Sequence, residues 1–246
     1  VHVVLTNKFH AGDVIMTREI IRRVWPILRD TVRVELDCAP RYRYLWMDLG
    51  IPFWDETGEP HAINLWFGHV DGVMGRHGLT HETQVESWNI QARPLGLPEI
   101  AHIDAPPIDL PIVENRDRPG ILVENGPVLS GQPVQDINGW LKAIAMQFHA
   151  MPFYLSGRLD DPHWMPNMVD RSDHNLLSLS ALSGNCIAMI SRLSSVTVAS
   201  FTAKNRGRLP RIVAGHPLGC PIWDERDITY APSITAMIDR LREVVR

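Results

Sequence analysis

A buried strand, a glycine loop and an amphipathic helix follow one another at the start of this chain, and few folds accommodate that order. Val1–Thr6 (VHVVLT) is a short Val-rich run, and Asn7-Lys8-Phe9-His10-Ala11-Gly12 reads as a loop. From Asp13 on, Val14, Ile20, Ile21, Val24, Trp25 and Leu28 recur at helical spacing and share one face. This is the opening unit of a parallel α/β sheet, in which ligands bind where the strands end. Asp13 stands at the loop–helix boundary, an N-cap position that is also the mouth of any such site.

The alternation continues. Val32–Cys38 reads as a second strand, Arg41–Leu49 as a short helix ended by Gly50, Ile63–Phe67 as a third apolar run and His81–Leu95 as a helix. Pro98, Pro106, Pro107, Pro111 and Pro119 then break any long element, so residues 106–118 are taken as a linker. The rhythm restarts with a strand at Ile121–Glu124, a loop at Asn125–Pro133, a helix at Val134–Phe148 and a strand at Phe153–Leu155. Leu176–Leu179 reads as extended, and Ser183 as the cap of a helix through Ile187, Ile190 and Leu193. Val196–Ser200 and Arg211–Ala214 read as strands, and a closing helix starts at Ser233. Strands alternating with helices imply mainly parallel sheets. The expectation is an α/β protein of two Rossmann-like domains, residues 1–105 and 119–246, facing each other across an interdomain cleft. One continuous doubly wound domain, with the prolines in a surface excursion, stays open.

The bulk properties narrow the function classes. The chain has 246 residues, 45% apolar, and a net charge of −4, which gives no support to a broad nucleic-acid surface. No apolar run approaches the roughly eighteen residues of a membrane span, which leaves peripheral membrane contact open. Cys38, Cys186 and Cys220 form no C-x-x-C pair. With no signal peptide visible, a reducing cytoplasm is the expected setting. There is no G-x-G-x-x-G, no P-loop and no G-x-S-x-G, which argues against a nicotinamide enzyme, a P-loop kinase and an α/β-hydrolase.

Several loops carry groups that suit an anion. Ser130-Gly131-Gln132, Gly157-Arg158, and Ser200, Thr202 and Lys204 each follow an expected strand. Hydroxyls, glycine N–H groups and cations after parallel strands bind phosphates well. Arg206 and Arg208 read as a solvated charge run. His69, His77 and His81 with Glu82 and Glu86 match no metal motif such as H-E-x-x-H; recognition of a ligand by His69, His81 and Trp88, or a mobile loop over the cleft, is the reading carried forward, with no metal. Core packing is the competing reading for Trp88 and for Trp66.

The order of these signals resembles a GT-B glycosyltransferase, and most of all the heptosyltransferase family of bacterial surface-sugar enzymes. Two stretches carry the resemblance. One is His10-Ala11-Gly12-Asp13-Val14-Ile15-Met16-Thr17, similar to the family's opening glycine-aspartate loop, and the other runs from Asn175 to Pro217. The resemblance implies a metal-independent transfer of sugar from a nucleotide-diphosphate sugar to a hydroxyl acceptor, with no further cofactor. It makes Asp13 the candidate base, with His10 assisting it or binding the acceptor. It puts the acceptor on the N-terminal half and the nucleotide sugar on the C-terminal half. In the family, the strand matched to Val196–Ala199 is followed by an aspartate, a small hydroxyl residue, a glycine and soon a histidine. Here Ser200-Phe201-Thr202-Ala203-Lys204-Asn205 follows, and the next histidine is His216, carried as a donor-side candidate. A GT-B-type sugar-nucleotide epimerase or hydrolase is a second reading on the same fold, and the missing aspartate keeps a third open, a non-catalytic protein that binds a nucleotide sugar or a partner protein.

Overall fold

The computed structural model describes residues 1–8, 10–66, 79–102, 104–126, 137–159, 164–215, 222–223 and 227–245. The chain divides into two compact units, one of Val1–Pro111 with Cys220–Asp224 and one of Ile112–Gly219 with Glu225–Arg246.

In the first unit, β1 (His2–Asn7), β2 (Arg33–Cys38) and β3 (His61–Asn64) form a parallel sheet in the order β2-β1-β3. The central strand buries Val3, Val4 and Leu5 in succession, as a strand covered on both faces does. Between β1 and β2 runs α1 (Ala11–Thr31), which places Ile20, Ile21, Val24 and Leu28 in the core. Its N-cap is His10, with no side-chain cap bond, so Asp13 is not the cap but the third residue of the helix. The expected short helix before Gly50 is instead a pair of 3₁₀ turns, Pro40–Leu45 and Met47–Leu49, closed by Gly50 at φ +65°.

Further along, a two-residue strand β4 (Leu79–Thr80) leads into α2 (His81–Ala92), capped by Thr80, whose hydroxyl accepts from Thr83 N. Two charges that no sequence pattern singles out hold α1 in place. Arg18 is fully buried, donating to Leu45 O at 2.7 Å, to Asp109 O and to the Asp48 carboxylate. Glu19, equally buried, accepts from Arg22 at 2.6 Å and from Asp109 N at 3.2 Å.

The second unit contains β5 (Ile121–Val123), β6 (Phe153–Leu155), β7 (Met168–Asp170), β8 (Ala188–Ser191) and β9 (Arg211–Ala214). The late two-residue strand β10 (Ile222–Trp223) pairs with β4 in the first unit, and β11 (Ile228–Ala231) completes the second sheet. Every ladder in that sheet is parallel, in the order β11-β9-β8-β5-β6-β7. The order runs outward in both directions from the centre, the doubly wound arrangement whose reversal lies between β5 and β8. Four helices accompany it among the described residues: α3 (Asn138–Gln147), α4 (Leu176–Ser183), α5 (Ser195–Ala199) and α6 (Ile234–Val244). Ile121, Val123, Ile144, Phe153, Leu155, Ile190, Ile212, Met237 and Leu241 share its core.

Three expectations fail in this unit, for related reasons. Leu176–Leu179 is not extended but the start of α4, because Asn175 caps it by accepting from Ser178 N at 3.0 Å. The Leu-Ser alternation that imitates a strand puts Leu176, Leu179 and Leu182 on one buried helical face. Conversely, Ile187–Leu193 is not a helix; its middle is β8, buried at all four residues. Val196–Ser200 is not a strand but the helix α5, despite its β-branched residues. β7 and β11, three and four residues long, are too short to show a period, and the sequence pattern does not reveal them.

The two described cysteines, Cys38 and Cys186, are free and buried, one in each unit. Burial pushes their thiols up to about 11 and about 12.

Candidate functional site

In the first unit the strand order reverses at β1, so the carboxyl ends of β1 and β3 mark its site. The residues leaving those ends come together there. His10, just after β1, lies with its ring 5.8 Å from that of Trp66, just after β3. Asp13 follows one turn into α1, only 9% exposed. Among the described residues no side chain or backbone group donates a hydrogen bond to its carboxylate. Thr17 Oγ1 donates to the backbone carbonyls of Asp13 (2.8 Å) and Val14 (3.1 Å) and not to that carboxylate.

The position near a helix N-terminus favours a charged carboxylate and by itself would lower the pKa. Burial outweighs that effect. Desolvation raises the Asp13 pKa to about 6, and the charge of His10 pulls it back only in part.

The acceptor-side candidates divide. Trp88 leaves the site: it is fully buried in the core, and its Nε1 donates to Pro98 O at 2.9 Å. His81 is buried at the first position of α2. His69 lies outside the described residues. Trp66, for which core packing competes with a role in the site, is the tryptophan that flanks His10, and it is half-buried.

In the second unit the site is built by three consecutive residues after β5. Glu124, 1% exposed, turns its carboxylate to the loop that joins β8 to α5. That carboxylate accepts from the backbone N–H of Arg192 (2.7 Å), Ser194 (3.3 Å), Val196 (3.1 Å) and Thr197 (3.1 Å). It also accepts from the hydroxyls of Ser191 (3.3 Å), Thr197 (2.6 Å) and Ser194. Asn125 clasps the next loop, accepting from Gly157 N at 2.8 Å and donating to Gly157 O at 2.9 Å. Gly126 packs so tightly on that loop that a Cβ on Gly157 would lie 2.6 Å from Gly126 Cα. Gly157 is therefore needed for backbone contact, while Arg158 beside it is exposed at the same edge.

The donor-side candidates further along move to the opposite edge. Because Val196–Ala199 is helical, Ser200, Thr202 and Lys204 do not follow a strand; they precede β9, at the amino ends of the strands. Ser200 is fully buried, its Oγ donating to Thr197 O at 2.6 Å and accepting from Arg211 Nε at 2.7 Å. Lys204 donates to Asn185 Oδ1 at 3.1 Å, and Thr202 accepts backbone bonds from Asn205 and Arg206. Arg208 is no solvated charge: it donates to Cys186 O, Ser183 O, Lys204 O and Asn205 Oδ1. Ser130, Gly131 and His216 lie outside the described residues. With β8 as the strand, the residues that follow it are Arg192-Leu193-Ser194-Ser195. The first of these is an arginine and not the aspartate of the family pattern.

Among the described residues no group of three or more His, Cys, Asp or Glu side chains is placed to hold a metal ion, and no helix is long and apolar enough to cross a membrane.

No family model and no curated protein matches the chain in sequence. Solved structures do match in fold. The ADP-heptose lipopolysaccharide heptosyltransferase II of E. coli superposes with a TM-score of 0.59 at 12% identity, over 100% of this chain and 98% of that one. A family 9 glycosyl transferase from Veillonella parvula gives 0.56 at 10%, over 100% and 90%. The iron-containing dodecameric glycosyltransferase TibC of enterotoxigenic E. coli gives 0.56 at 13%, over 86% of this chain, which spans 57% of TibC. Two all-parallel, helix-flanked units and these superpositions together show that the chain has the fold of the GT-B glycosyltransferases.

Proposed function

We propose that the protein is a metal-independent glycosyltransferase that moves a sugar from a nucleotide-diphosphate sugar to a hydroxyl acceptor. The observation that carries this reading is Asp13: a nearly buried carboxylate, without a hydrogen-bond donor among the described residues, at the ligand-binding edge of a parallel sheet. A carboxylate with a pKa of about 6 is charged at neutral pH and basic enough to accept a proton. In the proposed reaction the acceptor hydroxyl gives its proton to Asp13. Its oxygen forms the bond to the anomeric carbon. The bond from that carbon to the diphosphate oxygen breaks, and the nucleoside diphosphate leaves with the electron pair. His10 and Trp66 line the acceptor side, in the first unit. The second unit takes the nucleotide, with Gly157 and Arg158 at the edge that receives it. Solved neighbours support a nucleotide donor: one is heptosyltransferase WaaC with ADP and another is VinC in complex with dTDP.

Incubation with ADP-, UDP-, GDP- and dTDP-sugars, with and without a panel of carbohydrate acceptors, tests the reading by release of nucleoside diphosphate. Release that depends on an acceptor is the expected result. Release without an acceptor would move the protein to the hydrolases or epimerases. Donor binding that raises the melting temperature, with no release under any combination, would make it a binding protein.

A further inference from the structure

The reversal of strand order between β5 and β8 is where an open parallel sheet takes its ligand, and an unassigned cation stands there. Arg192 is the first residue after β8. Its Nη1 donates to Gly126 O at 3.1 Å, which holds the guanidinium against the loop after β5. Its Nε is buried without a partner, and its Nη2 has none among the described residues. Most of the surrounding backbone N–H groups are already committed inside the protein, Leu193 N–H to Ser191 Oγ at 3.0 Å among them. Glu124 already takes the N–H groups of Arg192, Ser194, Val196 and Thr197, so the cradle that loop would offer is filled from within. The same bonds hold Leu193 at φ +56°, a left-handed conformation that a leucine adopts only when its surroundings impose it. The loop is thus fixed in shape, and what it leaves unpaired is one side of an arginine fork, the geometry that pairs with phosphate oxygens.

We infer that Arg192 is the side chain by which the second unit binds the diphosphate of a nucleotide ligand, in place of backbone amides. This deepens the transferase reading and rests on it for the nature of the ligand. It also separates this chain from its sequence expectation, because Lys204 lies at the other end of the strands.

Calorimetry on the full chain with inorganic pyrophosphate and with ADP, UDP, GDP and dTDP tests the assignment. The parent should bind at least one nucleoside diphosphate, and also pyrophosphate more weakly, with an affinity that falls as salt rises. Arg192→Ala should weaken both about 10- to 100-fold, Arg192→Lys should recover part of the loss, and Lys204→Ala should match the parent. If Arg192→Ala proves unfolded by circular dichroism, Arg192→Gln replaces it, keeping a polar group of similar reach without charge. Affinities unchanged in a folded Arg192 variant would overturn the inference. So would a parent that binds neither pyrophosphate nor any of the diphosphates at millimolar concentration. The transferase reading is judged separately by acceptor-dependent release. Turnover with an unaltered donor KM in Arg192→Ala would leave that reading standing and remove this one.

Discussion

Replacing Asp13 by asparagine is expected to make the protein more stable and nearly inactive at once. The native carboxyl titrates at about 6, against 3.8 for an unburied aspartate, because burial disfavours its charge. The folded state therefore binds this proton more tightly than the unfolded state does. Stability falls as pH rises from about 4 to about 6, and above pH 6 the full penalty is present. A pKa raised this far corresponds to roughly 3 kcal/mol. Asparagine has the same shape and no charge to desolvate. Asp13→Asn should thus gain about 2–3 kcal/mol over the parent at pH 8, with the difference vanishing near pH 4. Turnover should fall about 10²–10⁴-fold, the usual contribution of a positioned base. In the parent, kcat/KM should rise about tenfold per pH unit up to pH 6 and then level off, and the residual rate of the variant should lack this rise. Urea melts at pH 4 and pH 8, set beside the two pH–rate profiles, check all of this. A folded variant with a rate within a few-fold of the parent would reduce Asp13 to a structural residue.

Loss of Glu124 should have the largest effect on stability. Its carboxylate satisfies four backbone N–H groups and three hydroxyls in a buried loop. In Glu124→Ala those donors have no replacement, and each unpaired buried donor costs about 1–3 kcal/mol before the loop relaxes. A net destabilisation of about 3–5 kcal/mol is expected, at the upper end for single substitutions. Glu124→Gln should fall between the parent and alanine, because its amide oxygen still accepts while its NH₂ faces other donors. Denaturant midpoints measure this directly. An alanine variant within about 1 kcal/mol of the parent would mean that water replaces the carboxylate.

What can be read from the sequence follows the length and regularity of each signal. α1 is legible because several turns of apolar residues repeat at one spacing, and Asp13 is legible because it follows a glycine loop. Its protonation is not, since helix position is written in the sequence and burial is not. In the second unit the decisive bonds join residues about seventy positions apart. Glu124 looks like the last residue of a strand, yet it makes Ser195–Ala199 helical by accepting from Val196 and Thr197. With that segment taken for a strand, Ser200 and Lys204 fall at the wrong end of the sheet, and Arg192 falls inside a supposed helix. Runs of four or five apolar residues carry no period to decide between the two.

The two buried thiols give each unit its own clock. A cysteine reacts as thiolate, and a thiol held near 11 or 12 behind the core offers almost none at neutral pH. Cys38 and Cys186 therefore become available to an alkylating reagent only when their own part of the chain opens. Labelling rates read peptide by peptide convert directly into opening free energies, one for each half of the molecule. A ligand that steadies only one half would slow one clock and leave the other running.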